Sequence, residues 1–230
     1  MELFEPILEE GKDLLHLTLS SGISGSINLQ YGENSVGRKI SGEKNFYCGL
    51  SGSIIRIWNV GGCCSGKSGK GIFYRRKCKW LEENRNRLHH WFFSTDLTSF
   101  IRGGRISKVS GFVGQALNIC PLMNVNTEGK LIPRNKYRGK KQVIREMVKR
   151  MEEHAQNQTQ YSGKCMMSCS ACEEDARKVA DLVEEKFPNL NGKVQINSIG
   201  TVIGSHTGPG TVALFSGEMR ELSKIYVKFF

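Results

Sequence analysis

The segment from Lys140 to Gln156, KKQVIREMVKRMEEHAQ, puts Ile144, Met147, Val148 and Met151 on one face of a helix. A second segment, SACEEDARKVADLVEEKF from Ser170 to Phe187, does the same with Ala176, Val179, Ala180, Val183 and Phe187. Two one-sided helices cannot bury their apolar stripes alone, so they need a layer to lie on. Short apolar runs stand around them: CPLMNV, KLIPRNKY, KCMMSC and KVQINSIG. Each reads as a strand, and the alternation of strand with helix restricts the class to α/β or α+β. Ser170 and Glu173 have the spacing of a capping box, which predicts that the second helix opens at Ser170. His89 and His90 precede WFF, which reads as core and not as a metal site.

That order begins near Trp80. Upstream, FEPILEEGKDLLHLTLSS reads as a helix end, a turn at Gly11 and a short strand entering SSGISGS. Leu29 to Lys79 is different. It holds ten of the 33 Lys and Arg but only two of the 22 Asp and Glu, so it supplies most of the net charge of +11. The same stretch contains ten of the 26 glycines and four of the eight cysteines. It sustains neither a helical nor a strand period, and alone it reads as a loop or disordered linker. A net charge of +11 usually points to nucleic acid. Here its confinement to one odd segment argues against a nucleic-acid partner. No run of 18 apolar residues is present, so no integral membrane association is expected. The acidic start, MELFEPILEEGKD, is not a signal peptide, and a cytoplasmic location follows as the expectation.

Two patterns carry chemistry on their letters alone. Gly61, Gly66, Lys67 and Ser68 satisfy the phosphate-binding loop G-x-x-x-x-G-K-[ST]. A nucleotide hydrolase using Gly61–Ser68 is therefore the alternative function. However, GKGIFYRRKCKW is a poor helix opening, and Asp96 is a weak acidic partner. Cys165, Cys169 and Cys172 have the C-x₃-C-x₂-C spacing of some iron–sulfur enzymes. Only 58 residues follow Cys172, too few for the barrel such enzymes need, and small residues at a strand end and helix cap explain the spacing.

Three longer motifs line up in order: SSGISGS (Ser20–Ser26), FIRGGRISKVSGFVGQALNICPLMNVNTEGKLIPRNKYRGKK (Phe100–Lys141) and IGTVIGSHTGPGTVALF (Ile199–Phe215). Together they resemble the DegV family of bacterial fatty-acid-binding proteins, from about Trp80 to Gly217 and again over Phe4 to Asn28. The resemblance implies a two-lobed α/β protein with a long-chain fatty acid such as palmitate held between the lobes. Residues 80–230 correspond to the mixed α/β C-terminal lobe, and residues 1–79 to a remnant of the N-terminal parallel α/β lobe. The family begins some 60–70 residues earlier, so the first lobe is expected to be incomplete, with Met1 an internal methionine. The chain is then a carrier that presents the acid to a fatty acid kinase or to lipid metabolism. No catalytic residue, cofactor or metal is implied.

Residue by residue, the resemblance assigns the carboxylate to Ser24 and His206. Gly25, Ser205, Thr207 and Gly208 form the supporting loops, and Arg105 and Arg138 lie where a partner kinase docks. The chemistry of GSHTGPG agrees. Glycines let backbone N–H groups approach an anion, and the loop reads as running from a strand into a helix-like GTVALF, whose N-terminus would favour negative charge.

Leu29 to Lys79 does not resemble the family, and the genetic code offers a reason. Read one nucleotide later, codons for Asn45 to Val60 can spell IFIVDSLAASSGYGM, a family-like strand and turn. Tyr31 to Lys44 can likewise spell the helix MAKIALEEKYPERK, and Val60 to Cys64 can begin LVD. Compensating frameshifts near Asn28–Tyr31 and between Cys64 and Trp80 would explain the charge, glycine and cysteine excess together. The expectation is a non-native or disordered 29–79 segment, a poorly formed first lobe, and a chain impaired in function.

Overall fold

The computed structural model describes residues 22–24, 85–107 and 119–217. The N-terminal helix and strand, Gly25, the Gly61–Ser68 pattern and the expected disorder at 29–79 lie outside those residues. A short 3-10 turn, Arg85–Arg87, leads into the first strand. Then follow β1 (Leu88–Ser94), α1 (Thr98–Arg102), β2 (Ile119–Val125), β3 (Leu131–Arg138) and α2 (Lys140–His154). They are succeeded by β4 (Cys165–Ser170), α3 (Glu173–Lys186), β5 (Gln195–Ser198), α4 (Thr201–Thr207) and β6 (Thr211–Gly217).

The six strands form one mixed sheet in the order β3-β2-β1-β6-β4-β5. Only β4 and β5 pair in parallel, joined by the α3 crossover, and the other pairs are antiparallel. This is the mixed α/β class expected of the chain from about residue 80. Side chains alternate across each strand, so the sheet has two distinct faces. On one face, Trp91, Phe93, Leu122, Met167, Val212 and Leu214 pack beneath α2 and α3. Both expected helical stripes lie there: Ile144, Met147, Val148 and Met151, and Ala176, Val179, Ala180, Val183 and Phe187. On the other face a smaller cluster joins Phe92, Phe100, Ile106 and Met123.

The proline of β3 sits where the ladder tolerates it. Pro133 stands opposite Met123, next to a register shift in the β2–β3 pairing. β3 is an edge strand, so the N–H that proline lacks is not missed there. The exposed Arg134, Lys136 and Arg138 put charge along the same edge, which discourages pairing with another sheet.

Two local expectations need correction. α3 does not open at Ser170: that residue ends β4, the N-cap is Cys172, and no side chain caps the helix. The chain spends Ala171, at φ 50, on turning out of the strand, so the apparent capping pair is split between two elements. Glu173, Glu174 and Asp175 in the first turn supply negative charge at the helix N-terminus instead. Similarly, GTVALF is not helix-like but belongs to β6, paired to β1 on one side and β4 on the other. A central strand is covered on both faces, so its residues read as a continuous apolar run without alternation.

The described residues divide into two units. One takes residues 87–107, 119–126 and 131–217. The other takes residues 22–24, 85–86 and the hairpin tip Thr127–Lys130.

Candidate functional site

His206 stands in the last turn of α4, a helix of seven residues. Gly204 N donates to Gly200 O and Gly208 N to Gly204 O, each at 2.8 Å. Gly208 then breaks the helix at φ 71, a backbone conformation that suits glycine. Gly210 N donates to Ser170 O at 2.8 Å, and Thr95 N donates to Gly210 O at 3.3 Å. The GPG turn is thus stitched to the ends of β4 and β1. Thr211, first residue of β6, extends the anchoring: its hydroxyl lies 3.1 Å from Ser94 Oγ and 3.0 Å from Thr207 O. Ser94 Oγ in turn donates to Asp96 O at 2.8 Å. A buried pair of hydroxyls therefore fixes where α4 ends.

This corrects the expected setting of His206. The imidazole ends a helix and precedes a strand, not the reverse. A helix C-terminus carries partial negative charge, so the helix dipole does not attract an anion here. The neighbouring hydroxyls add no donor: Ser205 Oγ donates to Val202 O at 2.7 Å and Thr207 Oγ1 to Ile203 O at 3.1 Å. Ser205, Thr207 and the buried Gly208 shape the loop. His206 is half-buried, and neither ring nitrogen has a hydrogen-bond partner among the described residues. An imidazole can donate one such bond when neutral and two when charged. Val202, one turn earlier on the same helical side, is 73% exposed.

α4 packs against α1 and the turn after it, the FIRGGRIS stretch. Arg105 is half-buried there. Its Nη1 donates to Gly103 O, while its buried Nε has no partner. Sequence reasoning picked out Arg105 but missed Gly103, which lies directly against the His206 ring. The paired glycines after a short apolar helix were the available signal. Arg138, by contrast, is exposed at the end of β3. Ser24 is half-buried in irregular backbone. Two residues before it, a Cβ at Gly22 would stand 2.7 Å from Lys130 Cγ and 2.8 Å from the Gly129 carbonyl carbon, so that close approach demands glycine.

Other candidates are accounted for structurally. Asp96 Oδ1 accepts bonds from Thr98 Oγ1 at 2.6 Å and Thr98 N at 2.8 Å, and these hold its carboxyl below the usual range. Its carboxylate opens α1. Cys165 and Cys169 point into the core beneath α3, and burial pushes both thiols up. Cys172 Sγ donates to Thr211 O at 3.3 Å. Among the described residues no group of three His, Cys, Asp or Glu could hold a metal. His90 is buried edge-on to Phe215, and His89 stacks on His154 with 4.9 Å between ring centroids. No helix among the described residues is long and apolar enough to cross a membrane.

Comparison with known proteins places this geometry in context. The sequence profile described as "Uncharacterised protein, DegV family" matches residues 70–218. A DegV domain-containing protein of Clostridium perfringens is 32% identical over 226 residues, covering 94% of this chain and 73% of the relative. A DegV family protein from Eubacterium eligens, solved loaded with heptadecanoic acid, superposes with a TM-score of 0.76 at 16% identity, over 95% of this chain and 77% of that one. The Fatty Acid Kinase (Fak) B3 protein of Streptococcus pneumoniae, loaded with linoleic acid, also gives 0.76 at 16% identity, over 95% and 76%.

Proposed function

The chain belongs to the DegV family, and from that premise we propose that it binds a long-chain fatty acid with His206 meeting the carboxylate. The observation that carries this reading is the imidazole itself, half-buried, held on an anchored turn and left with both nitrogens unpartnered among the described residues. Val202, apolar and exposed one turn away, suits a ligand that is a polar head on an apolar tail. The acids carried by the Eubacterium and Streptococcus proteins support the same ligand class. Burial of each CH₂ contributes about 0.8 kcal/mol, so a palmitoyl chain could contribute on the order of 10 kcal/mol before binding costs. The head group then sets orientation more than affinity. Ser24 enters the proposal as a second, hydroxyl contact on the strength of the SSGISGS motif alone.

In this reading the protein is a carrier and not a catalyst, working in the cytoplasm. The name of the Streptococcus pneumoniae protein supports a fatty acid kinase as partner. The exposed Arg138 would offer such a partner charge, and Arg105 would do so less freely because it is drawn onto its own turn. The test is palmitate uptake by delipidated protein. Uptake that His206→Ala weakens at least about tenfold supports the reading, since a hydrogen bond to a charged group is worth about 1.5–3 kcal/mol. Equal uptake by both proteins would overturn it.

The frame reading of Leu29–Lys79 belongs to the same proposal. One fact favours it: the family match begins at residue 70, inside the Cys64–Trp80 stretch where the frame was expected to return. Codons in the source gene incompatible with IFIVDSLAASSGYGM would exclude it.

A further inference from the structure

α1 and α4 meet through glycine. A Cβ at Gly103 would stand 2.5 Å from His206 Nδ1 and 3.1 Å from Ser99 O. A Cβ at Gly208 would stand 2.7 Å from Ser99 Oγ. Real Cβ atoms essentially never come within 3.0 Å of a neighbour, so a side chain at either place would push the His206 ring or the Ser99 hydroxyl aside. Yet the backbone does not ask for glycine at Gly103, whose φ of −75° and ψ of −2° suit any residue. What asks for it is the His206 ring. Gly104 is the reverse case: its φ is +68°, and a Cβ there would meet nothing within 4 Å.

The contact also distinguishes the two ring nitrogens. Nδ1 lies 2.5 Å from where a Gly103 Cβ would stand, so that side of the ring is closed by an α C–H, which accepts nothing, and Nδ1 bonds no acceptor among the described residues. A proton on Nδ1 would point at carbon, whereas an Nδ1 lone pair rests against C–H without penalty. A neutral imidazole with its lone pair on Nδ1 carries its proton on Nε2. The turn that makes this seat is itself held. Gly103 N donates to Ser99 O at 2.9 Å, Gly104 N to Ile101 O at 3.0 Å and Arg105 N to Phe100 O at 2.8 Å. Arg105 Nη1 closes it from outside by bonding Gly103 O.

We propose that Gly103 is the positioning residue of this site, seating His206 so that Nε2–H is the donor presented to a carboxylate. The identity of that carboxylate rests on the fatty-acid reading, but the seat does not. The test combines histidine ¹⁵N spectra of the labelled full chain, with His206 assigned through His206→Asn, and palmitate uptake by delipidated protein. Wild type should show the Nε2–H tautomer at His206. Gly103→Ala should displace that signal and weaken uptake about tenfold, as loss of one charge-assisted hydrogen bond would. Gly192→Ala, which imposes a similar backbone strain in open space outside the seat, should keep both the signal and the uptake. An Nδ1–H tautomer in wild type, or an unmoved His206 signal in Gly103→Ala, overturns the proposal. Wild type that takes up no palmitate but keeps the tautomer and its sensitivity to Gly103→Ala upholds the seat and removes the lipid reading. Should Gly103→Ala fail to fold, Arg105→Ala, which releases the Gly103 carbonyl, replaces it and should displace the same signal.

Discussion

The two faces of the sheet are covered to different standards. One carries α2 and α3, of 15 and 14 residues, whose Val143, Met147, Met151, Ala176, Val179, Ala180 and Val183 are fully buried. The other carries α1, of five residues, with α4, of seven, packed beside it, over a cluster of four buried side chains. Leu97, Val125, Leu131 and Ala213 around that cluster are only partly buried. The first face is held by apolar area, the second by backbone bonds, hydroxyls and glycine contacts. Stability and ligand chemistry are thereby separated, and substitutions on the two faces should fail in different assays.

The sharpest break of this comparison is Phe93→Ala. Phe93 is fully buried beneath the long helices. Its truncation should cost about 3–5 kcal/mol in denaturant unfolding. His206→Ala should do the opposite: at least about tenfold weaker palmitate uptake with stability within about 0.5 kcal/mol of wild type. A large stability loss there would mean that the short-helix face is also structural. Tyr161→Phe should lie between. The Tyr161 hydroxyl donates to Lys164 O at 2.8 Å and accepts from Gly217 N at 3.1 Å. Removing it should cost about 1–3 kcal/mol of stability and leave uptake unchanged. The smallest effect is a titration on the α3 side. Burial alone would raise the Glu184 carboxyl, but bonds from Arg177 and Val194 N hold it below its ordinary value. A depressed carboxylate contributes stability above its unfolded pKa and loses it as pH falls through the folded one. Glu184→Gln should therefore remove a small acid-side slope from stability curves below about pH 4.5, with no change in uptake.

The face with long helices was the legible one. Helices of four turns repeat their stripe often enough for a period of 3.6 to be read, and every residue assigned to those stripes is buried. β6 was misread because Val212, Leu214 and Phe215 are covered from both sides, which erases the alternation that marks a strand. At the candidate site, His206 could be singled out from its motif. Its seat could not, because Gly103 lies a hundred positions earlier and its glycine answers to a neighbour, not to its own backbone. The two-residue turn that delayed α3 past Ser170 left no mark in the spacing.

The central strand comes last among the described elements. β6 fills the gap between β1 and β4, and Ser94 bonds Thr211 across 117 residues of chain. On a ribosome, β3-β2-β1 and β4-β5 would emerge as two separate half-sheets with β1 and β4 as open edges. Among the described strands only residues 211–217 pair with both, so the two half-sheets join when that strand is made. Pairings so distant in sequence form slowly, and open edges invite other chains. The nascent lobe thus depends for its solubility on a strand made after the other five described ones. A stalled or prematurely released chain lacking those seven residues should aggregate rather than wait.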